Sequence, residues 1–119
     1  MTPFGVLMRD WRQKKNVTLN ELSAFLEVSA AYLSALEHGK RGRVSFAMVD
    51  QICVYFDLIW DDAEALKNAA MLSHPKPVLN ASDLSQDAVH LANLLAQNID
   101  RLSQEDCKAL CDEVLKRLS

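Results

Sequence analysis

The sequence predicts an all-α protein, and its composition, its apolar periodicity and its helix-capping residues all favour that fold class. Only three glycines and three prolines occur among 119 residues, too few for the tight turns that an all-β chain requires. Hydrophobic residues make up 50% of the chain, so a sizeable core can form without disulfide or metal staples. We expect five short helices, a linker and two longer helices.

The five short helices are predicted within residues 2–73. The first four follow a hydroxyl side chain that can accept a backbone N–H, and these N-caps are Thr2, Thr18, Ser29 and Ser45. Asp61, with Glu64 three residues later, predicts a capping box for the fifth helix. The third helix is expected to run from Ala30 to His38 and to stop at Gly39.

Apolar residues at helical spacing predict which side chains form the core of these five helices. The predicted core residues are Phe4, Leu7, Met8, Trp11, Leu19, Leu22, Phe25, Leu26, Leu33, Leu36, Phe46, Val49, Ile52, Cys53 and Phe56. The large aromatic side chains of Tyr55 and Trp60 are also expected in the core or at its edge.

Residues 74–82 are predicted to be a linker, because Pro75 and Pro77 cannot both lie inside a helix. A two-helix hairpin is expected over residues 83–119. Its apolar stripes comprise Leu84, Ala88, Leu91, Leu95, Ile99, Leu102, Cys107, Leu110, Cys111, Val114 and Leu118. Ser103 with Asp106 predicts the cap of the last helix. Since two helices alone bury little surface, the hairpin either covers the first domain or, as we favour, pairs with a second chain to form a homodimer.

The charge is distributed unevenly along the chain. Residues 1–48 hold seven Lys/Arg and four acids, a net charge of +3, whereas residues 49–119 hold six Lys/Arg and twelve acids, a net charge of −6. A basic amino-terminal part and an acidic remainder are compatible with nucleic-acid phosphates contacting one side of the protein only.

Two short helices joined by a tight turn are predicted at residues 19–38. Crossing helices this closely requires small or apolar residues at particular places, and Ser23 and Val28 meet that need. Leu33 and Leu36 point inward, which leaves the other face of the third helix unused by the core. A helix that is buried on one side and open on the other can read bases in the major groove of DNA.

The segment Leu19–Lys40 resembles the helix-turn-helix of lambda-repressor-like (Cro/repressor, XRE-type) regulators. The pieces that carry the resemblance are Glu21-Leu22, Val28-Ser29 and Leu36-Glu37-His38-Gly39-Lys40, and the five-helix layout of residues 2–73 matches as well. The resemblance implies a non-enzymatic, sequence-specific transcriptional regulator, most commonly a repressor. Such a regulator binds double-stranded DNA as a homodimer, with residues 30–38 as the recognition helix.

The resemblance also implies which residues contact DNA. Thr18 and Ser29 would be phosphate-facing caps, and Lys40, Arg41 and Arg43 would bind the phosphate backbone from a loop. The residues that would meet base edges are Ala30, Ala31, Tyr32, Ser34, Ala35 and His38. Arg12 and Glu37 fall at positions that often form an internal ion pair, so we assign them to structure.

Three departures from the family pattern affect these expectations. Glu27 stands where the family usually has a glycine in a turn that favours positive φ, and Leu19 replaces a polar residue that often contacts phosphate. The three alanines of the recognition helix cannot hydrogen-bond to bases. They can pack on thymine methyl groups, so specificity is expected to depend partly on DNA shape.

Two other functions are compatible with the sequence. The alanine-rich recognition face and the acidic carboxy-terminal half would suit a protein-interaction module, antitoxin- or anti-regulator-like, that uses the same fold without reading DNA. Cys107, Cys111 and His90 would suit a thiol or metal sensor, although both cysteines lie in an apolar stripe and are expected to pack as core residues.

The sequence contains no recognisable catalytic motif and few features that indicate its cellular location. The sequence has no glycine-rich phosphate loop, no nucleophile elbow and no zinc-protease motif, so we expect no enzyme, no cofactor and no metal ion. It identifies no particular small-molecule effector. Three cysteines without framework spacing, and no signal peptide or membrane-spanning run, predict a soluble cytoplasmic protein.

Overall fold

The computed structural model describes residues 1–119 and contains helices without β-strands, which confirms the predicted all-α class. The helices are α1 (Pro3–Lys15), α2 (Leu19–Leu26), α3 (Ala30–Glu37), α4 (Phe46–Phe56), α5 (Trp60–Met71), α6 (Gln86–Asn98) and α7 (Gln104–Leu118), with a 3-10 turn at Ile99–Arg101. The chain divides into two compact units, Met1–Pro77 and Val78–Ser119. None of the helices combines the length and the apolar character that crossing a lipid bilayer requires.

Local hydrogen bonds start the first four helices where the sequence predicts. The hydroxyls of Thr2, Thr18, Ser29 and Ser45 each accept a backbone N–H three residues later, at 3.0 to 3.1 Å. The predicted capping box at α5 is wrong, because the helix begins at Trp60 and no side chain caps it. Asp61 and Asp62 lie in its first turn instead, where the positive end of the helix dipole stabilises their carboxylates.

Every helix of the first unit contributes to one hydrophobic core. The buried residues are Phe4, Met8, Leu22, Leu26, Leu33, Leu36, Val44, Val49, Ile52, Phe56, Leu58, Leu66 and Ala70. Helix α1 packs against α3 and α5, α2 packs against α3 and α4, and α4 packs against α5. Helix α3 therefore packs against α1 and α2 through one face, and its opposite face is not covered by another helix.

Three aromatic residues that we expected in the core are exposed. Phe46 is 60% exposed and Trp60 is 83% exposed, and each is the first residue of its helix. Apolar periodicity predicts the face of a helix that is buried, but not how far along the helix a neighbour covers that face. Phe25 is 45% exposed, and its ring packs against that of Tyr55 at a centroid distance of 4.7 Å with the two planes tilted by 57°.

Left-handed backbone ends three of the first four helices. Asn16, Glu27 and Asp57 follow α1, α2 and α4 with φ between 55° and 58°. The expectation of positive φ at Glu27 is therefore confirmed. Helix α3 ends at Glu37, one residue before its predicted end at His38. His38 is the C-cap of the helix, and Gly39 follows with a φ of 72°.

The second unit consists of α6, the 3-10 turn and α7. Ser85 caps α6, and the predicted capping box of Ser103 and Asp106 opens α7. Neither helix contains a buried residue, and the two helices make few close contacts with each other. The expectation that both cysteines pack as core residues is wrong within the single chain, since Cys107 is partly buried and Cys111 is exposed.

Candidate nucleic-acid interface

Helices α2 and α3 form a helix-turn-helix whose turn is only three residues long. Ser23 is buried on α2, where its hydroxyl donates to the carbonyl of Asn20 at 2.9 Å and its own carbonyl accepts the N–H of Val28 at 3.1 Å. The left-handed conformation of Glu27 reverses the chain between these two residues. The turn is therefore held against the end of α2 by a backbone hydrogen bond at the buried Ser23.

Helix α3 has a buried face and an accessible face. Leu33 and Leu36 are buried in the core, while Tyr32 is 36% exposed and Ala31 is exposed beside it. Ala30, Ser34 and Ala35 are partly buried. None of the predicted base-facing residues is buried in the core, so the accessible face of α3 can meet a ligand without unfolding.

The caps of α2 and α3 keep a free hydrogen-bond donor. Thr18 Oγ1 accepts the N–H of Glu21 and Ser29 Oγ accepts the N–H of Tyr32, both at 3.0 Å. A hydroxyl that accepts in this way still has its own hydrogen to donate. Both residues are exposed, and the positive ends of two helix dipoles lie at the same places. This chemistry suits an anion such as a phosphate group.

The basic loop after α3 is anchored by one apolar residue. Val44 is buried, whereas Lys40, Arg41 and Arg43 are all exposed. The guanidinium of Arg41 lies 5.8 Å from the ring centroid of Tyr32, within range of a cation–π interaction. The structure thus brings the loop next to the exposed aromatic residue of α3.

His38 is oriented by a hydrogen bond to the preceding turn. Its Nδ1 lies 2.9 Å from the carbonyl oxygen of Ser34. Because a carbonyl oxygen can only accept, Nδ1 must carry the hydrogen of this bond. The exposed ring then has Nε2 as a hydrogen-bond acceptor when neutral and as a donor when protonated.

Two further basic or polar features of the first unit were not among the predicted contacts. Ser45 is exposed, caps α4 and stands two residues after Arg43, so it repeats the cap chemistry of Thr18 and Ser29. Its position beside the basic loop is a sequence signal that could have identified it. Lys14 and Lys15 lie 4.8 and 6.0 Å from the ring centroid of Trp11 at the end of α1.

The predicted ion pair between Arg12 and Glu37 is confirmed, with a nitrogen–oxygen distance of 2.9 Å. Burial raises the pKa of Glu37 above its ordinary value, and the nearby charges of Arg12 and Arg9 oppose that rise without cancelling it. The pair joins α1 to the carboxy-terminal end of α3. No group of three or more His, Cys, Asp or Glu side chains is placed to hold a metal ion.

Comparison with known proteins agrees with this geometry. Residues 3–66 match the family described as "Helix-turn-helix domain". The uncharacterized HTH-type transcriptional regulator RghRB of Bacillus subtilis (strain 168) is 25% identical over 122 residues, which cover 92% of this chain and 87% of the relative. The HTH-type transcriptional repressor RghR of the same organism is 43% identical over 42 residues, which cover 35% of this chain and 31% of the relative.

No solved structure gives a significant match to the chain. The family match, by contrast, spans more than half of the 119 residues and includes α1 to α4 and the first half of α5. It also contains the two-faced α3 and its capped amino terminus. The chain therefore belongs to the helix-turn-helix family of DNA-binding regulators.

Proposed function

We propose that this protein is a sequence-specific transcriptional repressor that binds double-stranded DNA as a homodimer, with α3 in the major groove. The observation that carries this function is the two-faced α3, which buries Leu33 and Leu36 and leaves Tyr32 accessible. The hydroxyl caps of α2 and α3 and the basic loop after α3 add groups that suit phosphates. Repression is the activity named for the relative RghR, and it supports the choice of a repressor.

Affinity for DNA is assigned mainly to contacts with phosphates. The proposed phosphate contacts are Thr18, Ser29, Lys40, Arg41, Arg43 and Ser45. Helix N-termini and guanidinium groups bind phosphate oxygens through their N–H donors and carry no sequence information. Binding should therefore weaken steeply as the salt concentration rises, because each neutralised phosphate releases counterions.

Base reading is assigned to the accessible face of α3. Tyr32, Ser34 and His38 supply hydrogen-bonding groups, and the Nε2 atom of His38 is free for such a contact. Ala30, Ala31 and Ala35 supply only methyl groups, which pack on thymine methyls. With few polar readers, discrimination between sites depends in part on how the DNA bends or narrows.

Dimerisation is assigned to the unit of α6 and α7. Its apolar side chains remain largely in solvent, since neither helix buries a residue within the chain. Pairing with the same helices of a second copy would remove that surface from water. A twofold dimer reads two half-sites about 34 Å apart, which a single recognition helix does not reach.

A protein-interaction module is the second candidate function. The three alanines on α3 and the net charge of −6 in residues 49–119 favour a protein partner over DNA. In that function α3 would pack on another protein through its methyl groups. Such binding would be far less sensitive to salt than binding to a polyanion.

Fluorescence-polarisation titration against a random DNA pool, at low and near-physiological salt, distinguishes the DNA-binding repressor from the protein-interaction module. The bound sequences are then selected and read. We expect salt-sensitive binding and enrichment of a palindrome with half-sites about one helical turn apart. Absence of binding at low salt would reject the DNA function in favour of the protein-interaction module. Enrichment of a single half-site would retain DNA reading but reject the homodimer.

A further inference from the structure

Thr2 occupies a point where α1 meets the carboxy-terminal end of α3. Its hydroxyl accepts the N–H of Gly5 at 3.0 Å as the cap of α1 and donates to the carbonyl oxygen of Glu37 at 2.9 Å. The backbone N–H of Thr2 donates to the same carbonyl at 3.1 Å. Carbonyls in the last turn of a helix lack partners within the helix, so Thr2 satisfies one that α3 leaves open.

Gly5 allows this close approach of the two helices. A Cβ atom at this position would lie 2.0 Å from the carbonyl oxygen and 2.8 Å from the carbonyl carbon of Glu37. Both are backbone atoms, which cannot rotate away as a flexible side chain could. Any larger residue at this position would push the end of α3 away from α1.

Ser73 holds the first turn of α1 from the other side. Its hydroxyl accepts the N–H of Phe4 at 2.9 Å and donates to the carbonyl of Ala69 at 2.6 Å. Ser73 is only 8% exposed, so water cannot easily replace these bonds. The first turn of α1 is thus fixed between the end of α3 and the end of α5.

We infer that Thr2, Gly5 and Ser73 are positioning residues for DNA reading, although none of them is a proposed DNA contact. They determine where the carboxy-terminal end of α3 lies, and hence the angle at which its open face enters the groove. The inference rests on the proposed function, because it assigns these residues to the specificity of α3. Misplacing α3 should reduce discrimination between DNA sites while leaving phosphate-driven binding unchanged.

The variants Thr2→Val and Thr2→Ser test this assignment. Valine keeps the branched shape and the backbone N–H but removes the hydroxyl, whereas serine restores the hydroxyl. Ser82→Ala is the control, since it removes an exposed hydroxyl that donates to the side chain of Asn80, outside the five helices of the first unit and outside α6 and α7. Two properties are measured at a temperature where all variants are folded. One is the ratio of affinities for the selected site and for random DNA, and the other is the amide hydrogen exchange of Gly39 and Lys40.

For Thr2→Val we expect the affinity ratio to fall about tenfold, with unchanged affinity for random DNA and an unchanged salt slope. Exchange at Gly39 and Lys40, whose N–H groups close the end of α3, should accelerate more than exchange in α4. Thr2→Ser should restore both properties, Ser73→Ala should impair both, and Ser82→Ala should change neither.

Two results would overturn the positioning role. One is an unchanged affinity ratio for Thr2→Val when the wild type discriminates between sites. The other is equal acceleration of exchange in α3 and α4, which would indicate a loss of general stability only. The exchange measurement needs no DNA, so it tests whether Thr2 holds the end of α3 even if the wild type fails to bind DNA. Failure of the wild type to bind would reject the proposed function separately.

Discussion

Arg12 binds Glu37 through a single nitrogen, Nη2, which donates to both carboxylate oxygens at 2.9 and 3.1 Å. The Glu37 side chain is 3% exposed, and the Nε atom of Arg12 is buried without a hydrogen-bond partner. A buried carboxylate is costly unless a cation faces it. The end of α3 is therefore attached to α1 by a contact whose strength depends on both charges.

Arg12→Met removes the cation and leaves the carboxylate of Glu37 buried alone. We expect the free energy of unfolding at neutral pH to fall by about 3 kcal/mol. The loss should shrink at acid pH, since a protonated Glu37 needs no cation. Urea unfolding at several pH values measures this loss. Lys15→Met, a change to another exposed base of α1, is the control. A loss that is the same at every pH would contradict the expected role of Glu37.

Glu37→Gln tests the direction of the pKa shift of Glu37. Because burial raises the pKa in the folded state, the folded protein holds the proton more tightly than the unfolded chain. The resulting stability is present below the ordinary value of 4.5 and is lost as the pH rises through the folded pKa. Glutamine does not titrate, so the variant lacks this loss. Its free energy of unfolding should therefore increase relative to that of the wild type as the pH rises from acid to neutral. A relative gain toward acid pH would show that Arg12 lowers the pKa instead.

Glu27→Gly should stabilise the protein. Glu27 has φ of 58°, a conformation that disfavours any side chain and that glycine adopts freely. We expect the free energy of unfolding to rise by roughly 0.5 to 1 kcal/mol. Ala24→Gly, at an exposed site inside α2, is the matched control and should lower it by about 1 kcal/mol. Thermal unfolding that gives both variants the same sign would contradict the assigned strain.

Tyr32→Ala and Arg43→Ala should have different effects on DNA binding. Tyr32→Ala should reduce discrimination between the selected site and random DNA. Arg43→Ala should weaken binding to all sequences alike by roughly 1 kcal/mol and reduce the salt slope by about one unit. Polarisation titrations at several salt concentrations separate the two, with Lys116→Ala on α7 as the charge control. Full specificity of the Tyr32 variant would remove that residue from base reading.

Leu91→Lys and Val114→Lys should each convert the proposed homodimer to a monomer. Leu91 on α6 is 58% exposed and Val114 on α7 is 54% exposed, so a lysine fits either position in the single chain. In a dimer each change would bury a charge in the apolar contact. Gln97→Lys adds the same charge at an exposed polar site of α6 and is the control. Sedimentation equilibrium measures the masses, and a dimer that survives both changes would exclude these helices as its interface.

Most of the local structure could be predicted from the sequence. The hydroxyl caps at Thr2, Thr18, Ser29 and Ser45 are short-range signals that act within one turn, and the structure forms all of them. The ion pair of Arg12 and Glu37 followed from the family resemblance. The assignment of DNA contacts on α3 and its loop also came from the sequence and remains a prediction.

Other features depend on which helices meet. Phe46 follows the apolar pattern of a core residue, yet it is exposed, because the pattern along one helix does not show how far a neighbouring helix covers it. The cap at Thr2 was predictable, but its second bond to Glu37, 35 residues away, was not. The bond between Phe4 and Ser73 joins residues 69 positions apart.

The sequence by itself thus determined the all-α class, the starts of the capped helices and the helix-turn-helix, because propensity, capping and turn geometry act between residues a few positions apart. Only the tertiary structure decided which carbonyl Thr2 satisfies, which aromatic residues are buried and how α3 is held. Those outcomes depend on hydrogen bonds and packing between segments that are distant in sequence. The local sequence around one residue does not specify which distant residue it will contact.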